Sequence, residues 1–177
     1  LAAAVAMFAL VCALLPDVIA GGRPATAAWR VIDGVNLQFS LEPLGMMFAL
    51  LASFLWIVNS VYSIGYMRAN AEPRQTSFYV CFAVALAATL GVAFAANLFT
   101  LFLFYELLTL STYPLVVHKQ TSEAIRAGRV YLLLLLGGSV ILFLTAIIWV
   151  HVRAGTGAFA PGGILPVDAR PRPALPS

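Results

Sequence analysis

From Ser77 to Val117 the sequence is predominantly apolar, and only Asn97 divides the run near its middle. One helix through all of it, rising 1.5 Å per residue, would reach roughly 60 Å, about twice the hydrocarbon thickness of a bilayer. The chain therefore has to double back, and a tight reversal is expected at Ala95 to Leu98. Three more apolar runs have bilayer length, which predicts five spans: Leu1 to Ile19, Leu44 to Tyr66, Ser77 to Ala96, Leu98 to Val117 and Val130 to Val152. Composition agrees, with 62% apolar and 10% charged residues where globular proteins average about 45–50% and about 25%. The expected fold class is all-α, a polytopic transmembrane helix bundle of about five spans, and the composition argues against a soluble enzyme.

The organisation follows from these runs. Residues 1–19 form a first transmembrane helix, 20–43 an extracytoplasmic loop, 44–152 four transmembrane helices with a glutamate-bearing helix at 98–117, and 153–177 a Gly/Pro-rich tail. In the first loop, alternating apolar residues around Val35 to Phe39 predict a short strand pair. The loops Met67 to Thr76 and His118 to Arg129 are short and charged. Ser122-Glu123 followed by Ala-Ile-Arg is a start signal able to begin the last helix ahead of its apolar run. Five of the ten prolines, Pro161, Pro166, Pro171, Pro173 and Pro176, fall in the tail. Basic residues divide evenly, with Arg68, Arg74, Lys119, Arg126 and Arg129 on one side and Arg23, Arg30, Arg153, Arg170 and Arg172 on the other. Weighting compact loops puts the first group in the cytoplasm, most simply across a bacterial inner membrane. Residue 1 is Leu and no charged region precedes the first apolar run, so the chain is read as a piece of something longer.

The net charge of +3 contains no basic run, so a nucleic-acid footprint is missing. Cys12 and Cys81 sit inside apolar stretches with no redox or zinc spacing. Phosphate-cradling, nucleophile and haem patterns are missing too, and Gly155-Thr-Gly157 follows a helix instead of a strand. The sequence thus predicts no catalytic residue, cofactor or metal site of its own.

Glu106 is the residue that carries chemistry. A carboxylate costs several kcal/mol at bilayer depth on insertion scales, so such groups usually face a bundle interior or a water-filled cavity and mark ion or proton paths. The alternative is a polar clamp between helices, worth about 1 kcal/mol. Helical spacing puts Thr109 and Tyr113 on the face of Glu106, where they can support water beside it. Pro114 frees the carbonyl of Leu110 and permits a kink. Against this, Thr109 can simply bond its own backbone and Pro114 can simply end the span.

Other features have plainer readings. Ala83, Ala87, Gly91 and Ala95, four apart, form a small-residue stripe for close helix approach. Gly137-Gly138-Ser139 either packs closely or loosens its helix, and close packing is the expectation. Asn59, Ser60, Tyr62, Ser63 and Tyr66 cluster at one end of the second span, where interfacial anchoring explains the tyrosines. Glu42 is a negative charge before a helix N-terminus. His118 and His151, at opposite membrane faces, are expected to be solvated at the interface.

The stretch Asn97-Leu-Phe-Thr-Leu-Phe-Leu-Phe-Tyr105-Glu106-Leu-Leu-Thr-Leu-Ser-Thr-Tyr113 resembles the central glutamate helix of the antiporter-like proton-conducting subunits. That family is shared by respiratory complex I, multisubunit cation/proton antiporters and membrane-bound hydrogenases. Tyr62-Ser-Ile-Gly-Tyr66-Met67 and Glu42-Pro-Leu-Gly45 look like its motifs around the preceding long helix, and the resemblance extends over about Val35 to Trp149. It implies a large helical subunit of two inverted repeats, with a proton path in each and a glutamate paired with a lysine on a broken helix further along. Glu106 matches the glutamate; the only Lys, Lys119, lies in a loop and does not match the lysine. Ala96 stands where relatives often have an acid. Arg129 beside Val130 stands where they often have a lysine, so Arg129 would have to supply any electrostatic trigger. The implied partners are other membrane subunits, protons and monovalent cations, all within the lipid bilayer. The competing functions are a structural or assembly subunit without transport of its own, and a subunit of a redox-driven proton translocase resembling NADH-quinone oxidoreductase.

Overall fold

The computed structural model describes residues 1–165 apart from 33–34, 71–73, 119–120 and 161. The tail from 166 onward, including Arg170, Arg172 and four of the tail prolines, lies outside the described residues, as do Pro161 and Lys119.

Five apolar helical rods form the body: α1 (Ala2–Ile19), α2 (Pro43–Ala69), α3 (Gln75–Ala93), α4 (Leu98–Val116), and a last rod built from α5 (Ser122–Gly138), a π-helical stretch (Ser139–Leu144) and α6 (Thr145–Ala154). Each is long and apolar enough to cross a membrane, and many large apolar side chains point outward, among them Leu44, Leu133, Leu142 and Val152. In water such a surface would aggregate; in lipid it is the expected exterior. The chain is an integral membrane protein.

Small residues set the packing. Ala4, Val11 and Val18 recur every seven positions along α1, and all three are buried. Val11 and Val18 join Met46 and Ala49 of α2 and Leu90 of α3 in one core cluster. The α3–α4 pair packs most extensively, and the buried small residues of α3 follow a different phase from the predicted stripe. Ala85, Ala88 and Gly91 are buried whereas Ala87 is exposed. Spacing of three, not four, brings those residues onto one face here, and the Phe104 ring occupies the space that a Cβ on Gly91 would need. Gly45 similarly lets the start of α2 approach the backbone of Ala93.

The reversal falls at Phe94 to Asn97, and the asparagine is what starts the next helix. Its Oδ1 accepts the Thr100 amide at 2.8 Å, satisfying an N-terminal donor that α4 cannot satisfy internally. Its Nδ2 donates to the Asn36 carbonyl at 2.9 Å. Asn36 belongs to the expected strand pair, β1 (Trp29–Ile32) against β2 (Val35–Leu37), antiparallel. Three segments remote in sequence meet at this end of the bundle. The Ala96 amide donates to Gln38, the Ser40 amide to Phe94, the Leu98 amide to Gly157 and the Phe159 amide to Ala96.

The fifth span follows its early start signal and departs from expectation at its glycine pair. It begins at Ser122, inside the region read as a loop, because the Thr121 hydroxyl accepts the Ala124 amide at 3.1 Å and Glu123 sits in the first turn. The glycine pair does not pack closely: a Cβ at Gly137 or Gly138 would meet nothing within 4 Å. The loosening alternative is what appears, since the helix passes into its π-helical stretch immediately afterwards.

Candidate functional site around Glu106

Glu106 lies two turns into α4. Both carboxyl oxygens are buried, and neither has a hydrogen-bond partner among the described residues. Ring contacts set its surroundings. Phe102 and Tyr105 meet Phe143 edge-on, with centroids at 5.7 and 6.1 Å, and a Cβ on Gly128 would press on Val117 and come within 3.2 Å of Tyr113. These two contact regions fix an antiparallel register between α4 and the last rod. In that register Glu106 stands at about the depth of Ser139, where the π-helical stretch begins. Nothing in the local sequence announces this coincidence, because it depends on how two helices slide past each other.

Three hydroxyls of α4 around and beyond Glu106 are spent on their own helix. Thr109 donates to the Tyr105 carbonyl at 3.1 Å, Ser111 to Leu108 at 2.9 Å and Thr112 to Thr109 at 2.9 Å. Thr109 thus follows the plain alternative, and such back-bonding tends to bend helices. Tyr113 shares the face of Glu106 and packs on Gly128. Pro114 stands inside the last turn and α4 continues to Val116, so the proline does not terminate it. Arg129 is exposed and adjoins Gly128, which places it level with Tyr113 and Val117, roughly 10–15 Å along α4 from Glu106. The structure brings Glu106, Thr109 and Tyr113 onto one face and leaves Arg129 at a distance.

The histidines lie at opposite ends. His151 lines a cavity of about 310 Å³ under the strand pair, together with Asn36 and Asn97. His118 is not the freely solvated group expected at an interface: its Nε2 is buried and unpartnered, and its ring stands edge-on to Phe78 with centroids 5.6 Å apart. Burial there comes from α3, which the sequence around His118 does not reveal. Glu42 forms an ion pair with Arg23 at 3.8 Å, with both side chains more than half exposed, so the pair contributes little. Among the described residues no three His, Cys, Asp or Glu side chains gather in a way that could hold a metal ion.

Comparison with known proteins follows the same helices. Residues 95–161 match the family model described as NADH:quinone oxidoreductase/Mrp antiporter, TM. The Na(+)/H(+) antiporter subunit A1 of Staphylococcus aureus (strain bovine RF122 / ET3-1) is 32% identical over 99 residues, 56% of this chain and 12% of that protein. The putative antiporter subunit mnhA2 of Staphylococcus haemolyticus is 26% identical over 136 residues, 75% of this chain and 16% of its own length. The chain therefore spans less than a fifth of these relatives. Among solved structures, the membrane-bound sulfane sulfur reductase, an archaeal respiratory membrane complex, aligns over 88% of this chain and 31% of its own, with TM-score 0.72 and 20% identity. The Mrp complex from Dietzia sp. DQ12-45-1b aligns over 89% of this chain and 29% of its own, with TM-score 0.67 and 23% identity. Both likenesses are of fold.

Proposed function

Because the chain is homologous to Mrp-type antiporter subunits, and residues 95–161 carry the transmembrane segment of that family, we propose that it contributes the glutamate half of a proton path in an antiporter-like subunit. That subunit works inside a multisubunit complex of a bacterial plasma membrane. Its partners are other membrane subunits, protons and monovalent cations. The loops at 67–76 and 118–121 face the cytoplasm, and the strand pair and the Phe94–Asn97 turn face the other side. Glu106 is the proton-carrying group.

The observation that carries this reading is the pair of buried, unpartnered carboxyl oxygens. An ionised carboxylate left that way in hydrocarbon is costly, so the group must take up a proton or meet a cation from outside the described residues. A clamp requires a hydrogen-bonded partner on a neighbouring helix, and no described residue supplies one. The π-helical stretch at the same depth supports the reading as well, since such interruptions occur frequently at functional sites. Tyr113 and Pro114 shape the path, Thr109 belongs to its wall with its hydroxyl turned to the helix backbone, and Arg129 acts from a distance, through charge.

Glu106→Gln in the complete protein is the test, with assembly and transport both measured. The amide keeps shape and hydrogen-bonding capacity while removing titration. Transport is expected to fall at least about tenfold, roughly 1.4 kcal/mol in the barrier, with assembly retained. Wild-type transport would refute the role, and loss of assembly would favour a structural subunit.

A further inference from the structure

Where α4 ends, its last turns meet the C-terminal end of α2 and the start of α3 around a cavity of about 570 Å³. Its lining includes Asn59, Tyr62, Ser63, Tyr66, Phe78 and His118. The polar cluster on α2 that interfacial anchoring alone explains in the sequence is therefore a cavity wall. His118 lines the same space, yet its Nε2 lies out of solvent with no hydrogen-bond partner among the described residues. A buried unsatisfied nitrogen is unfavourable and calls for an explanation. Neither an ion pair nor a metal cluster provides one among the described residues.

We propose that His118 is a proton-transfer residue at the mouth of the path, exchanging protons between this cavity and Glu106. The inference rests on the reading of Glu106 as the proton-carrying group. An imidazole can accept a proton from cavity water at one nitrogen and release the proton held on the other, ending as the opposite tautomer with no charge left behind. The released proton passes along α4 to the Glu106 carboxyl, twelve residues and roughly 18 Å away. Pro114 lies between them and frees the Leu110 carbonyl, giving water on that route a main-chain acceptor. A cavity lined in part by polar side chains and a nitrogen kept out of solvent are together what a transfer group at a boundary requires; a merely interfacial histidine would have both nitrogens hydrated.

The test uses membrane vesicles holding the complete protein in its complex. His118→Ala should lower proton flux about tenfold, and millimolar imidazole should restore it. Pyrrole, of the same size but unable to relay a proton near neutral pH, should not. Glu106→Gln should be inactive with or without imidazole. Wild-type flux in His118→Ala, or rescue by pyrrole equal to that by imidazole, overturns the proposal and leaves the Glu106 reading intact. Wild-type flux in Glu106→Gln overturns both. If His118→Ala does not assemble, His118→Gln decides: an assembled complex with flux down about tenfold supports transfer, and wild-type flux refutes it. Failure of both variants to assemble would make packing against Phe78 the role of the ring and also overturn the proposal.

Discussion

Replacing Asn97 by alanine removes two hydrogen bonds from a side chain that is only 7% exposed. The first is the cap to the Thr100 amide at 2.8 Å, worth about 1 kcal/mol in typical helices. The second is the donation to the Asn36 carbonyl at 2.9 Å, whose loss leaves a half-buried acceptor short of a donor, again about 1 kcal/mol. Asn97→Ala should thus destabilise the protein by about 2 kcal/mol. Serine separates the two contributions, because its hydroxyl caps a helix but does not reach Asn36, and Asn97→Ser should lose only about 1 kcal/mol. Equilibrium unfolding in mixed micelles gives the totals, and hydrogen exchange at the Thr100 amide isolates the cap. That amide should exchange faster in the alanine variant and keep its protection with serine. Equal destabilisation by the two substitutions, or an undisturbed Thr100 amide in Asn97→Ala, would refute the argument.

Gly91→Ala should cost about 1–3 kcal/mol by driving a methyl into the Phe104 ring, while Gly137→Ala, with open space around it, should be neutral or stabilising in the same unfolding assay. Single cysteines at Asn70 and Ala160, with Cys12 and Cys81 replaced, should react with impermeant label from opposite sides of the membrane; labelling from one side would overturn the five-span arrangement. The 177-residue chain alone in proteoliposomes should not exchange protons for Na⁺ or K⁺, because Glu106 has no cationic partner among the described residues; a sustained, ion-dependent pH change would contradict this.

The spans were legible because hydrocarbon thickness dictates their length, and Asn97 was legible because a polar residue inside a double-length apolar run marks both a turn and a cap. The early start of the fifth span was half visible: Thr121 and Glu123 form a helix-start signal, but hydropathy rises only from Val130. The phase of the α3 stripe was missed because alanine is so common here that several periodicities fit, and Gly91 belongs to more than one of them. Loosening at Gly137-Gly138-Ser139 was legible as one of two alternatives, whereas the isolation of the Glu106 carboxyl and the burial of His118 were not legible. Each depends on what a neighbouring helix brings alongside, and no window of local sequence contains that neighbour.

The joined segments under the strand pair also constrain the order in which the molecule is made. The Leu98 amide and the Ala96 carbonyl take their partners from Gly157 and Phe159, residues that follow the whole of the last rod in the chain and reach the turn only once that rod has crossed. Until then the α3–α4 hairpin sits in the membrane with its turn incompletely bonded, so insertion of these five helices precedes the completion of their packing. Packing of these five helices is thus completed at a seal, after the helices themselves are in place. A defect in Thr156 to Phe159 should reveal itself far upstream, as a turn at Phe94 to Asn97 that remains open to proteases in an otherwise fully inserted protein.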